Sequence, residues 1–198
     1  MSSEDRSEDQ RTHWDIKYEK GLPSLTEPDP FFISAYERFV TPSLPKPGVV
    51  GAALDLAGGL GRHALWLASR GWQVTVVELS DVAIGKLRQA AVELNVNIDL
   101  FAGDAAEYQL EPTQFDLIVL FYHLDRSLFP KIVSALKPGG LLICKMSLRW
   151  DSGERLKTAS ANPLHRNELP SLVPELDVLH HQERPVRDRG VVEFVGRK

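Results

Sequence analysis

The chain has 198 residues, 43% of them hydrophobic and 25% charged, which gives one soluble globular domain with a sizeable core and little room for a second. A formal net charge of −4 supplies no chain-wide basic field to gather polyanions, so nucleic acid is not the expected partner. No apolar stretch reaches the roughly 18 to 20 residues that span a bilayer, so no membrane partner is expected either.

The first stretch, MSSEDRSEDQR, is polar and charged with no apolar core, which excludes a secretory signal and marks 1–11 as a disordered tail. In HWDIKYEKG, Trp14 and Tyr18 are four residues apart and share one helical face, and Gly21 stops the turn. Past the proline-rich LPSLTEPDP, the segment FFISAYERFV sets Phe32, Ala35, Tyr36 and Phe39 at helical spacing toward a core. Pro42, Pro45 and Pro47 end that helix, so 12–47 forms a helical cap ahead of the main domain.

A strand-helix alternation fills 48–147. VVGAALDLA is a buried strand, and GRHALWLASRG a helix with Ala64, Leu65, Leu67 and Ala68 inward and Gly71 as terminator. WQVTVVEL is the second strand; SDVAIGKLRQAAVEL then starts on Ser80 as N-cap, with Ile84, Leu87, Ala91 and Leu94 at helical spacing. NIDLFAGD and FDLIVLFY are the third and fourth strands, and SLFPKIVSAL is a short helix stopped by KPGG before the fifth strand, LLICKMSL. This alternation predicts a single Rossmann-like α/β domain, doubly wound, with a mostly parallel sheet and helices on both faces. In 148–198, a long connection leads to PELDVLHHQER and GVVEFVGRK, two strands joined by PVRDRG as a C-terminal antiparallel hairpin. The lone cysteine, Cys144, has no partner for an internal disulfide, in keeping with a reducing, cytoplasmic compartment.

The chemistry centres on ALDLAGGLGRHA, residues 53–64, at the carboxyl end of the first strand, where doubly wound sheets bind ligands. Gly58, Gly59 and Gly61 let the backbone turn sharply and approach a ligand closely. Gly59, Gly61 and Ala64 also satisfy the dinucleotide pattern G-x-G-x-x-A, with Glu78 following 19 residues after Gly59. Spacing therefore leaves a nicotinamide cofactor open. Charge separates the two, because a pyrophosphate seeks a helix N-terminus and an acid at Asp55 repels it. A cationic cofactor suits that acid, and S-adenosylmethionine brings an ammonium and a sulfonium. Asp55 then holds the ammonium, Glu78 accepts from the ribose hydroxyls, and Asp104 in AGDA accepts from the adenine amine beside the Ala105 N–H. Leu79 and Phe101 either cover the base or pack in the core. The competing structural roles are a loop cap for Asp55, a surface acid for Glu78 and a turn former for Asp104.

With WDIKY, PDPFF, LDLAGGLGRHALWLA, VTVVELS, AGDA, FDLIVLFYHLDR, ALKPGGLLICK and LHRNEL in place, the chain resembles the class I S-adenosylmethionine-dependent methyltransferases, in particular the small-molecule tellurite-resistance and thiopurine-type branch. The resemblance covers nearly everything after about residue 11. It implies a class I methyltransferase fold over 12–198 with S-adenosyl-L-methionine as cofactor. Asp55, Gly59 and Gly61 then lie at the methionine end of the cofactor, Glu78 at the ribose and Asp104 at the adenine. Ala57 stands where the pattern has its first glycine, next to Gly58. It also implies that Trp14 and Tyr18 form a lid.

Methyl transfer from a sulfonium is an in-line displacement, and much of its catalysis is alignment. The fourth strand ends in FYHLDR, over the transfer position in this fold. His123 is the candidate general base and Tyr122 a candidate catalytic and cofactor-lining residue. Packing roles compete for both. Asp125 and Arg126 either pair or cap the next helix, where Ser127 is another N-cap candidate, and Arg126 is otherwise a substrate residue. Arg62 suits the cofactor carboxylate or solvent, and His63 a structural role. Lys145, Met146, Arg149 and Trp150 follow the fifth strand, and Arg149, Arg155, Lys157, His165 and Arg166 give the long connection a basic bias that suits an anionic substrate. No metal-ligand spacing occurs, since adjacent His180 and His181 face opposite sides of a strand. The expected activity is methylation of a small-molecule acceptor by a monomer or homodimer. An NAD(P)-binding oxidoreductase and a non-catalytic S-adenosylmethionine-binding protein are the alternatives.

Overall fold

The structure is a computed structural model that describes residues 3–21, 26–44, 50–150, 163–186 and 189–198. Part of LPSLTEPDP, Pro45 and Pro47, Arg155 and Lys157 of the long connection, and part of the hairpin turn lie outside the described residues.

Helix α1 (Ser3–Glu19) takes in most of the stretch read from the sequence as a disordered tail, because side chains along it dock on the body of the protein. Ser7 Oγ donates to Asp104, Arg11 pairs with Asp81 at 3.1 Å, and Tyr18 is buried. Gly21, at φ 74°, ends the helical segment with its N–H on the Tyr18 carbonyl, as expected for a glycine stop. Helix α2 (Pro30–Ala35) is capped by the Asp29 carboxylate on the Phe31 N–H and opens with proline at its first position, where the missing N–H costs nothing. It runs on into a π-helical turn at Tyr36–Val40. Phe32, Ala35, Tyr36 and Val40 are buried along this unit.

The rest is a seven-stranded sheet in the order β3-β2-β1-β4-β5-β7-β6. Its strands are β1 (Ala52–Leu56), β2 (Gln73–Glu78), β3 (Ile98–Ala102), β4 (Phe115–Phe121), β5 (Leu136–Leu148), β6 (Asp177–Val186) and β7 (Arg189–Arg197). The first five are parallel, while β7 is antiparallel to both β5 and β6, as the terminal hairpin predicted. Helices α3 (Arg62–Ala68), α4 (Asp81–Glu93) and α5 (Leu128–Ala135) make the crossovers, and Ser80 caps α4 as expected by accepting the Ala83 N–H. One core joins α5 to the sheet through Phe115, Phe129 and Ile132; the other joins α2, α3 and α4 through Phe32, Leu67 and Leu87. Strand order reverses direction at β1, between β2 and β4, and the crevice at that reversal is where a doubly wound sheet holds its ligand.

Four details depart from the sequence reading. Pro138, Gly139 and Gly140 lie inside β5, because the Gly139 N–H donates to the Lys198 carbonyl and the strand continues past a register shift against β4. Lys145 and Met146 consequently sit within β5 and are buried. Leu94 is exposed, since α4 ends at Glu93 and Leu94 is only its C-cap. A short helix, α6 (Glu168–Leu172), stands in the connection read as irregular.

Candidate functional site

After β1 the chain turns through Ala57, Gly59 and Gly61, all at positive φ (56°, 59° and 73°), and enters α3. A Cβ on Gly61 would meet Leu87 Cδ1 at 2.3 Å, so glycine is favoured there by space as well as by φ, while one on Gly59 would meet only the Tyr18 hydroxyl, at 2.7 Å, and φ is what favours glycine. Ala57 carries its Cβ in the left-handed region, a strain of about 1 kcal/mol that the surrounding turn sustains.

Two carboxylates lie under this loop. Asp55 is 1% exposed and accepts the Ala64 N–H at 3.2 Å, so the capping role is present. Burial raises its pKa to about 7, against the lowering effect of the Ala64 hydrogen bond and the Arg62 charge. Among the described residues no cation stands within ion-pair range of it. Glu78 is buried, and its two oxygens accept the Gly59 N–H at 2.8 Å and the Ser80 N–H at 2.9 Å. Burial also raises the Glu78 pKa, against those backbone hydrogen bonds. A buried carboxylate beneath a glycine cradle, with no protein cation on it, fits a cationic ligand such as S-adenosylmethionine.

Helix α1 lies directly over these groups. Ser7 Oγ donates to Asp104 at 2.7 Å, and Asp15 accepts from Ser80 Oγ and from the Val82 N–H. Tyr18 is 6% exposed with its hydroxyl at Gly59, and burial beside Glu78 and Asp55 pushes its pKa up. Trp14 stacks on Tyr18 at 5.7 Å, the helical pair expected from their spacing. Asp104 also accepts the Ala106 N–H, next to buried Ala105. Leu79 is half-buried, whereas Phe101 is 38% exposed against Tyr108 and is not core.

Beyond β4, Tyr122 has φ 59° and donates its N–H to the Lys145 carbonyl at 2.8 Å, which leaves its side chain 43% exposed at the sheet edge. Burial lowers the His123 pKa, opposed by Asp104 and Asp125, so the ring is neutral at neutral pH. Asp125 accepts from the Ser127 N–H and hydroxyl, and Ser127 makes no side-chain cap of its own. Arg126 does not pair with Asp125; its guanidinium binds Glu168 and ties α6 to the end of β4. Arg149 is exposed, with its N–H on the Leu164 carbonyl. His63 is structural, as expected: it accepts the Asp29 N–H, packs on Phe32 and Phe121, and burial pushes its pKa down to about 3.

Sequence reasoning missed a buried charge network beside this corner. Lys145 binds both oxygens of Asp29 at 2.9 and 3.0 Å and Glu193 at 3.0 Å. Arg184 meets Glu193 at 2.8 Å, and Arg62 reaches Asp29 at 3.8 Å. Burial alone would lower the Lys145 pKa, but Asp29, Tyr122 and Glu193 outweigh it and hold the ammonium charged. The available signal was a single charge of opposite sign in each of two apolar strands, LLICKMSL and VVEFV.

Among the described residues no group of three metal-binding side chains occurs, and no helix is long and apolar enough to cross a membrane. Residues 53–140 match a family described as a methyltransferase domain. A tRNA 5-carboxymethoxyuridine methyltransferase of Escherichia coli K12 is 35% identical over 99 residues, covering 45% of this chain and 37% of that protein. The match thus spans little more than a third of the relative. The fold is shared with TehB from Haemophilus influenzae (TM-score 0.74, 19% identity, 92% of this chain and 66% of that one). It is shared also with a 1,6-didemethyltoxoflavin-N1-methyltransferase of Burkholderia thailandensis, solved with 1,6-didemethyltoxoflavin and S-adenosylhomocysteine (TM-score 0.73, 17% identity, 100% of this chain and 91% of that one). The class I methyltransferase fold expected from the sequence is the fold observed.

Proposed function

We propose that this chain, whose residues 53–140 are a methyltransferase domain set in a class I methyltransferase fold, transfers a methyl group from S-adenosylmethionine to a small-molecule acceptor. The observation that carries the cofactor is Asp55, buried under the glycine turn with no cation in ion-pair range among the described residues. A dinucleotide would bring phosphate to that acid and leave it more costly.

Asp55 faces the cofactor's ammonium, the lone pairs of Glu78 not used by Gly59 and Ser80 accept from the ribose, and Asp104 accepts from the adenine. When bound, the cofactor supplies an activated methyl group. Everything else is alignment and exclusion of water by this chain. Tyr122 lines the acceptor corner, and His123, held neutral by its burial, receives the proton of an acceptor that must lose one. Because Ser7 and Tyr18 already occupy Asp104 and Gly59, α1 is a lid that withdraws to admit the cofactor.

The small-molecule acceptor is supported by the net charge of −4, which disfavours a nucleic acid, and by the cavity described below. The test combines calorimetry with label transfer. S-adenosylhomocysteine should bind the wild type, and Asp55→Ala or Glu78→Ala should weaken it at least about tenfold. No heat from folded wild-type protein would sink the proposal. Labelled methyl should reach members of a panel of carboxylates, phenols, thiols and amines; label appearing in bulk tRNA instead would overturn the small-molecule acceptor in favour of the chemistry named for the E. coli relative.

A further inference from the structure

A cavity of about 330 Å³ opens between the α2 unit and the β6–β7 hairpin, a volume suited to a small organic molecule. Phe31 and Phe39 give it an apolar aromatic wall, and Arg38, His180, Gln182, Arg184 and the carboxylate of Glu193 give it a polar one. Arg38 stands on the π-helical turn, and among the described residues no carboxylate is within ion-pair range of it. His180, Gln182 and Arg184 alternate along β6 and so share one face, while Glu183 points away with His181 and Arg166. The His180 ring packs tilted on Phe31 at 5.4 Å, and its buried Nε2 has no hydrogen-bond partner among the described residues.

The charges around the cavity do not cancel. Lys145, Arg62 and Arg184 pair with Asp29 and Glu193, and Glu193 itself lines the cavity beside Arg184. Arg38 adds a further positive charge on the cavity side, with no carboxylate in ion-pair range among the described residues. The same network reaches the acceptor corner. Lys145 pairs in register with Phe121, its carbonyl takes the Tyr122 N–H, and Phe31 lies 6.3 Å from Phe121.

We propose that this cavity anchors the methyl acceptor by an anionic end, a carboxylate on an aromatic or apolar body, held by Arg38 and Arg184 beside the His180 ring, with the reactive end toward Tyr122. This rests on the methyltransferase reading above. A guanidinium offers a carboxylate two parallel N–H donors. The aromatic wall takes the body of the molecule. A neutral acceptor would leave Arg38 to solvent and gain no charge-assisted hydrogen bond from it.

The probe is phenylacetate, compared with phenylacetamide, which has the same shape without the charge. Each is titrated into the full chain while the His180 ring resonances are followed by NMR. Phenylacetate should shift them saturably and bind at least about tenfold more tightly than the amide. Arg38→Gln and Arg184→Gln should each abolish that preference while the heat of S-adenosylhomocysteine binding persists. Arg38 is exposed, lies over the Phe39 ring and makes no ion pair among the described residues, so its variant tests the pocket without disturbing the buried network. Equal binding of acid and amide, no response at His180, or a preference that survives both variants would overturn the proposal. A wild type that keeps the carboxylate preference but gives no heat with S-adenosylhomocysteine would leave the anion pocket standing and remove the methyltransferase reading.

Discussion

Asp55 and Glu78 are two acids held out of water a few atoms apart, and their protonation links ligand binding to pH. An unfolded Asp55 titrates near its ordinary 3.8, whereas burial moves the folded group to about 7. Between those values the native state holds a proton that the unfolded chain has released, so the ligand-free protein should lose stability as pH rises through that window. The Glu78 shift has the same sign. Thermal melts should show a falling midpoint from roughly pH 5 to pH 8, and Asp55→Asn should flatten the slope. A cationic ligand reverses the preference by favouring ionised Asp55, so S-adenosylhomocysteine affinity should rise toward pH 8 with uptake of the released proton by buffer. A flat melt profile, or affinity falling with pH, would contradict this. Asp55 was visible in the sequence because an acid ending an apolar strand just before glycines is locally odd. Its capping bond to Ala64 and the Glu78 bonds to Gly59 and Ser80 were not, since they depend on how the loop closes in space.

Strand β5 illustrates the same boundary among elements. Its apolar run announced a buried strand, and β1, β2, β4 and the terminal hairpin were equally plain from their alternation with helices. Its length was not foreseen, because KPGG has the local chemistry of a stop and is extended only through its contact with the Lys198 backbone. The partners of Lys145 were hidden too, since Asp29 lies 116 residues away on the cap of α2 and no local pattern joins them. That ammonium now fastens three elements, the start of α2, β5 and β7. Removing it leaves Glu193 with Arg184 alone and Asp29 with only the longer contact to Arg62, so Lys145→Met should lower stability by about 3 kcal/mol in urea unfolding. Lys145→Met combined with Asp29→Asn and Glu193→Gln should recover part of that loss. A single variant as stable as the wild type would show the network to be solvated.

Taken whole, the sheet brings residues from distant parts of the chain to one edge: the glycine turn after β1, Glu78 at the end of β2, Asp104 after β3 and Tyr122 after β4. The C-terminal hairpin extends that edge into a wall with its own basic face. Over this edge lies α1, whose Ser7 and Tyr18 stand on groups a cofactor would use. The consequence concerns time. If the helix must leave first, association cannot keep accelerating with ligand concentration; it reaches a plateau set by the rate at which α1 lifts. Trp14, stacked on Tyr18, should report each opening in stopped-flow fluorescence. Truncating its stacking partner with Tyr18→Ala should raise the plateau, and a rate linear in ligand to the highest concentrations would mean the helix never bars the way. A protein built like this has its tempo written in its first helix, separately from the strength with which it holds what it binds.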